Sequence, residues 1–281
     1  MISRLQTATS VWIQGGLGNQ LFQLCAGLNA QRRSGLPFVA SRSSYWRDSL
    51  RGFRIMPLLK RRQLATHFED LIIGPPHQRT GELRTSTKRL GIEIAESVDA
   101  ASVHASLMVG YFQDQKSISF GTESVTSRLR QIPVDPSNEW IRKLVSGRPI
   151  AHVRRGDYVA LESARKTFGA IGREYYFDGL EMLGYKPSDA VFFSDDPEFV
   201  EKEFGVARES IVGPAAVTSD MQTMILMSLG RDILIPNSTF SWWAADLMGS
   251  RGRVVAPTVW FHDRDESHWP TRQEWLRSPN R

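Results

Sequence analysis

Near its middle the chain carries Pro149-Ile150-Ala151-His152-Val153-Arg154-Arg155-Gly156-Asp157-Tyr158, a short apolar run followed by charged residues. An apolar run of this length between turn residues predicts a buried strand. Strand and helix patterns alternate after it. Further strands are predicted at 190–194, 232–236 and 253–257, and helices at 174–183, from Asp196 onward, at 220–229 and at 240–248. This alternation indicates an α/β fold with parallel sheets.

The N-terminal half shows the same alternation less clearly. A strand is predicted at Val11-Trp12-Ile13, a helix at 20–33 and another strand at 106–111. The stretch Arg42–Glu96 is rich in arginine and carries no motif that indicates a role. Proline and glycine punctuation at Pro133–Pro136 and at Gly147-Arg148-Pro149 favours a boundary between two halves there.

The composition indicates an ordinary globular protein with a basic surplus. Of the 281 residues, 41% are hydrophobic and 23% charged, which is typical of globular domains. The 35 lysines and arginines exceed the 30 acidic residues and give a net charge of +5, which attracts anions. The densest basic run, Lys60-Arg61-Arg62, is short, and we predict that it is solvated surface. Nucleic-acid binding would need a continuous Lys/Arg face, which the sequence lacks.

The chain also lacks a run of the ~20 apolar residues that span a membrane. Residues 1–6 contain no apolar signal core. The single cysteine, Cys25, excludes an intramolecular disulfide, and we predict a packed thiol inside a helix. We therefore expect a cytoplasmic protein with at most peripheral membrane contact.

Four polar or glycine-rich motifs follow predicted strands. In open α/β sheets, ligands bind beyond the carboxyl ends of the strands. The motifs are Gln14–Gln20, His152–Tyr158, Phe193–Pro197 and Asn237–Ala245. In the first, Gly15, Gly16 and Gly18 allow the backbone to approach a ligand, and the helix start at Asn19 favours an anion. Its glycine spacing differs from that of the dinucleotide motif G-x-G-x-x-G.

The second and third motifs contain candidate ligand-binding side chains. Side chains alternate along a strand, so His152 and Arg154 share one face, and Arg154 is the better candidate for a bidentate phosphate contact. Arg155 is expected to pair with a carboxylate as scaffold. Asp196 has the chemistry of a helix N-cap, with proline in the first turn, which leaves Asp195 free for a ligand.

Two acidic pairs are candidate metal ligands. Asp195 and Asp196 are adjacent, but a basic phosphate site makes a metal unnecessary. Asp263-Arg264-Asp265 has a D-x-D spacing, yet it lies in a highly charged segment and is predicted to be a surface loop. In the fourth motif, hydroxyls and amides at a helix start predict an anion site. Its Trp242-Trp243 pair could stack on a base or sugar, but core packing is the favoured prediction.

Taken together, the four motifs resemble those of the α-1,2-fucosyltransferases of glycosyltransferase family 11, in the order found in that family. The second motif resembles α-1,6- and protein O-fucosyltransferases as well, whereas the Ser238–Trp243 block is more specific. The resemblance implies a GT-B fold, with two Rossmann-like domains facing a central cleft. Residues 1–147 would form the acceptor side and residues 148–260 would bind GDP-fucose. The tail 261–281 would pack back on the N-terminal domain.

The resemblance also implies a site and a reaction. Arg154 would bind the donor diphosphate, and Asp195 would bind the guanine N1–H and N2 amine. The phosphates or ribose would contact Ser238, Thr239, Phe240 and Ser241, while Gly15, Gly16, Gly18 and Asn19 would close over the diphosphate and fucose. The reaction would invert the anomeric centre and need neither a cofactor nor a divalent metal. The acceptor would be a galactose-containing glycan of an O-antigen, capsule or oligosaccharide.

The catalytic groups follow from the charge that develops on the departing GDP. Arg154, His152 and the amides around Ser238–Ser241 would stabilise it. Asp157 is the candidate general base, with an ion pair to Arg155 as its alternative role, and Glu174 and His152 are further candidates. Two other functions remain open at this point: a transferase for another nucleotide sugar, and a non-catalytic protein that binds phosphate or nucleic acid.

Overall fold

The computed structural model describes residues 8–41, 52–60, 93–95, 106–156, 166–169, 171–217 and 219–280. The chain divides into two compact units, Met1–Leu129 and Arg130–Arg281. Within the described residues each unit is built on one sheet, of four strands in the first and six in the second. Every described strand pair is parallel. The predicted α/β class with parallel sheets is therefore confirmed.

The first unit has the strand order β2-β1-β4-β3. Its strands are β1 (Thr9–Trp12), β2 (Phe38–Ser41), β3 (Glu93–Ala95) and β4 (Ser106–Met108). Its helices are α1 (Leu17–Ser34), α2 (Gln115–Ile118) and α3 (Thr122–Arg130), the last of which runs to the boundary. Helix α1 ends at Gly35, whose φ of 72° is the left-handed conformation that glycine adopts without strain. Cys25 is buried in α1, as predicted.

The second unit has the strand order of a Rossmann fold. Its strands are β5 (Ile150–Val153), β6 (Val191–Ser194), β7 (Ile211–Val212), β8 (Ile233–Leu234), β9 (Val254–Pro257) and β10 (Leu276–Ser278). Their order across the sheet, β7-β6-β5-β8-β9-β10, is the 3-2-1-4-5-6 arrangement of dinucleotide-binding folds. The helices are α4 (Glu139–Val145), α5 (Arg173–Met182), α6 (Pro197–Phe204), α7 (Asp220–Met227) and α8 (Thr239–Met248). The predicted strands and helices of this half are confirmed.

The boundary between the units precedes the predicted one at 147/148. The segment before β5 belongs to the second unit because it is bonded to α7. The Gln222 amide donates to the Pro133 carbonyl at 2.9 Å and accepts from the Asp135 N–H at 2.8 Å. Helix α4 also buries Ile141 and Val145.

The C-terminal tail contributes a strand to the second unit, and its packing on the N-terminal domain stays a prediction. Strand β10 pairs in parallel with β9 and forms the edge of the sheet. The indole N–H of Trp242 donates to the Pro270 carbonyl at 2.8 Å. An apolar, fully buried β9 needs a neighbour on its open side, and the tail supplies one.

Some predictions fall where the structure gives no description. Most of Arg42–Glu96 lies outside the described residues. The GT-B arrangement of two units facing a cleft also stays a prediction. Among the described helices, none combines the length and hydrophobicity that a membrane-spanning segment needs.

Candidate functional site

The strand order of the second sheet reverses between β5 and β8, where open α/β sheets bind their ligands. These two strands are neighbours, with Ile150 opposite Ile233 and Ala151 opposite Leu234. The ring centroids of His152 and Phe240 are 5.7 Å apart. The structure therefore brings the second and fourth motifs together at the switch point.

The N-terminus of α8 presents backbone N–H groups at this edge. The first helical bond runs from the Trp242 N–H to the Ser238 carbonyl at 2.9 Å, so the amides of residues 239–241 have no partner within the helix. Ser238 is the N-cap residue, but its hydroxyl makes no capping bond. The Ser241 hydroxyl donates to the Ser238 carbonyl at 3.3 Å and is buried. These amides and the positive helix end suit an anion.

Asp195 is bonded to the loop that follows β5. Val153 of β5 lies opposite Ser194 of β6, so the next residues, Arg154 and Asp195, leave the sheet side by side. Asp195 Oδ2 accepts from Arg154 Nη1 at 2.5 Å and from the Gly156 N–H at 3.1 Å, and Oδ1 accepts from the Arg155 N–H at 2.9 Å. Both carboxylate oxygens thus have partners within the protein, and the contact of Asp195 with the donor stays a prediction.

Gly156 is part of the same arrangement, and sequence reasoning gave it no role. A Cβ atom at this position would lie 2.8 Å from Asp195 Oδ2, which is closer than real Cβ contacts. A glycine therefore lets the backbone approach the carboxylate. In the sequence, the indication of this close approach between backbone and carboxylate was a glycine directly after the two arginines at the end of a strand.

Arg155 has the scaffold role predicted for it. Its Nε lies 3.1 Å from Asp196 Oδ2, and its guanidinium lies over the Phe199 ring at 3.5 Å from the centroid. Asp196 also caps α6, accepting from the Phe199 N–H at 3.1 Å, as predicted. The two consecutive arginines thus have different partners, since Arg154 is bonded to Asp195 and Arg155 to Asp196.

His152 is buried and electrically neutral at physiological pH. Burial, with a smaller contribution from the Arg154 charge, lowers its pKa from 6.5 to about 3. Its Nδ1 atom has no hydrogen-bond partner in the described part of the chain. The neutral ring adds no positive charge to the site, and so low a pKa makes it a weak base near pH 7.

Comparison with known proteins gives the family. The family model described as Glycosyl transferase family 11 matches residues 109–278, more than half of the chain. The chain belongs to glycosyltransferase family 11. It is 28% identical over 284 residues to an alpha-1,2-colitosyltransferase of Escherichia coli, with 94% of this chain and 97% of the relative covered. It is 24% identical over 304 residues to the E. coli O-antigen biosynthesis glycosyltransferase WbnK, covering 94% and 98%.

Among solved structures, this family 11 glycosyltransferase is similar to fucosyltransferase NodZ from Bradyrhizobium. The TM-score is 0.47 at 14% identity, with 85% of this chain and 92% of NodZ covered. NodZ is an alpha-1,6-fucosyltransferase, and one of its crystals was soaked with GDP-fucose.

In the first unit of the family 11 chain, the polar residues of the glycine-rich motif hold loops in place. The Gln20 amide donates to the carbonyls of Gly15 at 3.0 Å and Gly52 at 2.9 Å and accepts from the Arg54 N–H at 2.8 Å. Asn19 Oδ1 accepts from Gln113 Nε2 at 3.0 Å. Gly15 has a φ of 79°, and a Cβ there would lie 2.7 Å from Asn19 Nδ2. Sequence reasoning missed this role of Gln20, whose only signal was an amide side chain among the apolar residues at the start of α1.

Several other candidates have distinct environments. Asp157 lies outside the described residues. Glu174 is exposed in the first turn of α5.

Trp242 and Trp243 are fully buried, so the prediction of core packing is confirmed. Asp263 and Asp265 are exposed, as predicted for a surface loop. Among the described side chains, no three His, Cys, Asp or Glu gather as a metal site would require.

Asn237 is a further residue whose role sequence reasoning missed. Its buried amide donates to the carbonyls of Phe168 and of Trp260, the second at 3.2 Å. It thereby joins two segments distant in sequence directly beside the start of α8. A polar residue directly after an apolar strand indicates a ligand contact. The pattern around Asn237 therefore did not predict this structural role.

Proposed function

We propose that this protein transfers L-fucose from GDP-β-L-fucose to the 2-hydroxyl of a galactoside in a glycan, with inversion to an α-1,2 linkage. The observation that supports this best is the meeting of the second and fourth motifs at the switch point of a Rossmann-ordered sheet, where the His152 and Phe240 rings are 5.7 Å apart. Arg154 directly follows β5 there, and the open N-terminus of α8 follows β8. A guanidinium and a helix N-terminus are the two groups that proteins use most readily for phosphate. Family membership supplies the reaction type, and the names of the two relatives support the linkage and an O-antigen acceptor.

In the proposed reaction the acceptor oxygen forms a bond to fucose C1 while the bond from C1 to the GDP oxygen breaks. The electron pair leaves with GDP, whose diphosphate gains negative charge. Arg154 and the amides of residues 239–241 would stabilise that charge, and losing one such contact typically costs ~10²-fold in rate. The bond from Asp195 fixes the direction of the Arg154 side chain before the donor binds, so little reorganisation is needed.

Asp195 takes a different part in this proposal from the one its position after β6 predicted. Its oxygens hold Arg154 and the 155–156 backbone, so we assign it to the placement of that arginine and not to guanine. On the side of the first unit, Gly15, Gly16, Gly18 and Asn19 remain the candidates to close over the diphosphate and fucose. Ser238 and Thr239 would contribute hydroxyls to the phosphates or ribose.

The proton of the acceptor hydroxyl must pass to a base within hydrogen-bond reach. Asp157 remains the proposed base because it follows the Arg154 loop directly in the sequence. Glu174 is the alternative, since its carboxylate is exposed. Because the pKa of His152 is about 3, its ring is a weak base near pH 7, and we do not favour it as the general base.

We also propose that the reaction needs no divalent metal, since a cation already faces the diphosphate. Activity should survive full chelation with EDTA. Complete loss of activity, restored by Mg²⁺ or Mn²⁺, would contradict this part of the proposal and return attention to the acidic residues.

The function is tested by incubating the purified protein with GDP-fucose and a panel of β-galactosides, and assigning the product linkage by NMR. The expected product carries fucose α-1,2-linked to galactose. Arg154→Ala should abolish transfer and weaken GDP binding while the circular dichroism spectrum is retained. Turnover by that variant at the wild-type rate would contradict the assigned role.

The donor sugar has one specific alternative. The relative at 28% identity is an alpha-1,2-colitosyltransferase, and colitose differs from fucose only by the missing 3-hydroxyl. The same assay should therefore include GDP-colitose, GDP-mannose and UDP-galactose at equal concentration. A kcat/KM for GDP-colitose above that for GDP-fucose would reassign the donor while leaving the site intact.

A further inference from the structure

An exposed tyrosine lies at the ligand-binding edge of the first sheet. Strand β4 ends at Met108, and Tyr111 follows in the connecting loop with 42% of its surface exposed. Strand β4 is the immediate neighbour of β1, whose own carboxyl end leads into the glycine-rich loop. Ligands of parallel α/β sheets bind at this edge, so the tyrosine is exposed where a ligand is expected.

The loop that carries Tyr111 is held in a conformation that side chains rarely adopt. Phe112 has a φ of 49°, and it is the sole non-glycine residue with positive φ in the described part of the chain. Its ring is buried and folds back over Gly110, where a Cβ atom would lie 3.3 Å from it. A bulky residue in this region is strained, and such strain concentrates at functional sites.

Two side chains of α1 hold the strained loop against the glycine-rich motif. Gln23 Nε2 donates to the Gly110 carbonyl at 3.0 Å, and Gln113 Nε2 donates to Asn19 Oδ1 at 3.0 Å. These bonds bracket Tyr111 on both sides along the chain. The loop therefore presents the ring from a fixed backbone.

Gln113 supplies a second, independent sign of a ligand. Its side chain is buried, with 8% of the residue exposed, yet its Oε1 atom has no hydrogen-bond partner in the described residues. A buried carbonyl oxygen without a donor is costly, and the usual remedy is a ligand or water. Its partner Asn19 lies in the first turn of α1, so this oxygen lies at the same edge as Tyr111.

From these observations we propose that Tyr111 and Gln113 form the acceptor-sugar subsite, and this rests on the proposed function. The apolar face of the galactose ring stacks on the Tyr111 ring, and a sugar hydroxyl donates a hydrogen bond to Gln113 Oε1. An aromatic platform beside a few fixed polar atoms is the usual composition of a small-molecule site.

The test compares Tyr111→Ala with Tyr111→Phe, which keeps the ring, and with Phe120→Ala as a matched control. Phe120 is an exposed aromatic residue of the same unit, but it contacts Arg32 in the last turn of α1, at the opposite end of that helix. Tyr111→Ala should raise the KM for methyl β-galactoside roughly tenfold, the change that about 1.4 kcal/mol of lost stacking produces. The Kd for GDP should stay unchanged, and the other two variants should behave like the wild type.

A second variant tests the glutamine. Gln113→Met is close in shape and removes the Oε1 acceptor together with the Nε2 donor to Asn19. The KM for the acceptor should therefore rise, and an unchanged acceptor KM would overturn the role of this oxygen. A weaker affinity for GDP in Tyr111→Ala would place this residue on the donor instead and overturn the proposal.

Binding of methyl β-galactoside, followed by ligand-observed NMR with GDP present and no GDP-fucose, separates this proposal from the proposed function. Binding by the wild type and its loss in Tyr111→Ala would support the subsite even if no fucose were transferred. Equal binding by both proteins, or no binding by the wild type, would overturn the subsite even if fucose transfer were demonstrated.

Discussion

Replacing Asp195 with asparagine tests whether the carboxylate positions Arg154. The two side chains have nearly the same shape, but asparagine has a single oxygen, whereas Asp195 accepts from Arg154, Gly156 and Arg155 with two. If the asparagine oxygen still accepts from Arg154 and Gly156, its NH2 group faces the Arg155 N–H. Both of these groups are donors, so no hydrogen bond can form between them. The bond that is lost involves a charged acceptor, which is worth about 1.5–3 kcal/mol.

The size of the effect follows from the partial exposure of the pair. The Asp195 side chain is 20% exposed and that of Arg154 34%, so solvent screening favours the lower part of the range. A cost of about 2 kcal/mol in holding the 154–156 loop, from which the Arg154 side chain extends, corresponds to a loss of roughly 30-fold in kcat/KM for the donor. The measurement is initial-rate kinetics with GDP-fucose at fixed acceptor, together with calorimetric titration of GDP.

Asp196→Asn is the matched control, because it makes the same change in charge at the next residue. Asparagine caps a helix as well as aspartate does, so α6 should be kept. The Arg155–Asp196 pair is 31% and 41% exposed, and its loss should cost less than about 1 kcal/mol. If Asp195→Asn bound GDP more tightly and turned over undiminished, the carboxylate would be a competitor of the phosphate and the positioning role would be refuted.

Three further changes probe the same region. Arg154→Lys keeps the charge but loses the planar fork, and should lower kcat/KM by about 10²-fold with unchanged thermal stability; a loss under threefold would contradict a bidentate contact. Gly156→Ala should displace the Asp195 carboxylate, from which the new Cβ would lie 2.8 Å, and reduce donor kcat/KM roughly tenfold, whereas wild-type kinetics would show that the loop adjusts freely. Because the pKa of His152 falls from 6.5 to about 3 on folding, only the unfolded chain binds its proton between these values, so stability is complete above pH 6.5 and declines below it. Urea denaturation should show about 2 kcal/mol lost by this route between pH 6.5 and 5 in the wild type and not in His152→Gln, and parallel curves would show that the histidine is not buried neutral.

The sequence was sufficient for the features that depend on local patterns. The apolar runs before Arg154 and before Asn237, and the cap at Asp196, needed only neighbouring residues to be recognised. The same patterns predicted that the second motif, with Arg154, and the fourth motif, with Asn237, lie at the ends of strands.

What the sequence could not reveal depends on contacts between distant segments. That Asp195 holds Arg154 follows from the register of β5 with β6, in which Val153 faces Ser194, and no local pattern determines that register. The position of the tail depends on pairing between β10 and a strand about twenty residues earlier, and β10 itself is only three residues long. The burial that makes His152 neutral likewise arises from the assembled sheet and not from its neighbours in sequence.

The edge strand β10 has a practical consequence for anyone who shortens this chain for expression. Its removal would uncover the backbone N–H and C=O groups along one side of β9, a strand of four buried residues. An exposed apolar strand edge is a template for pairing with another molecule and a recognised cause of aggregation. Truncation before Leu276 should therefore yield inclusion bodies, although every residue assigned to the donor would still be present.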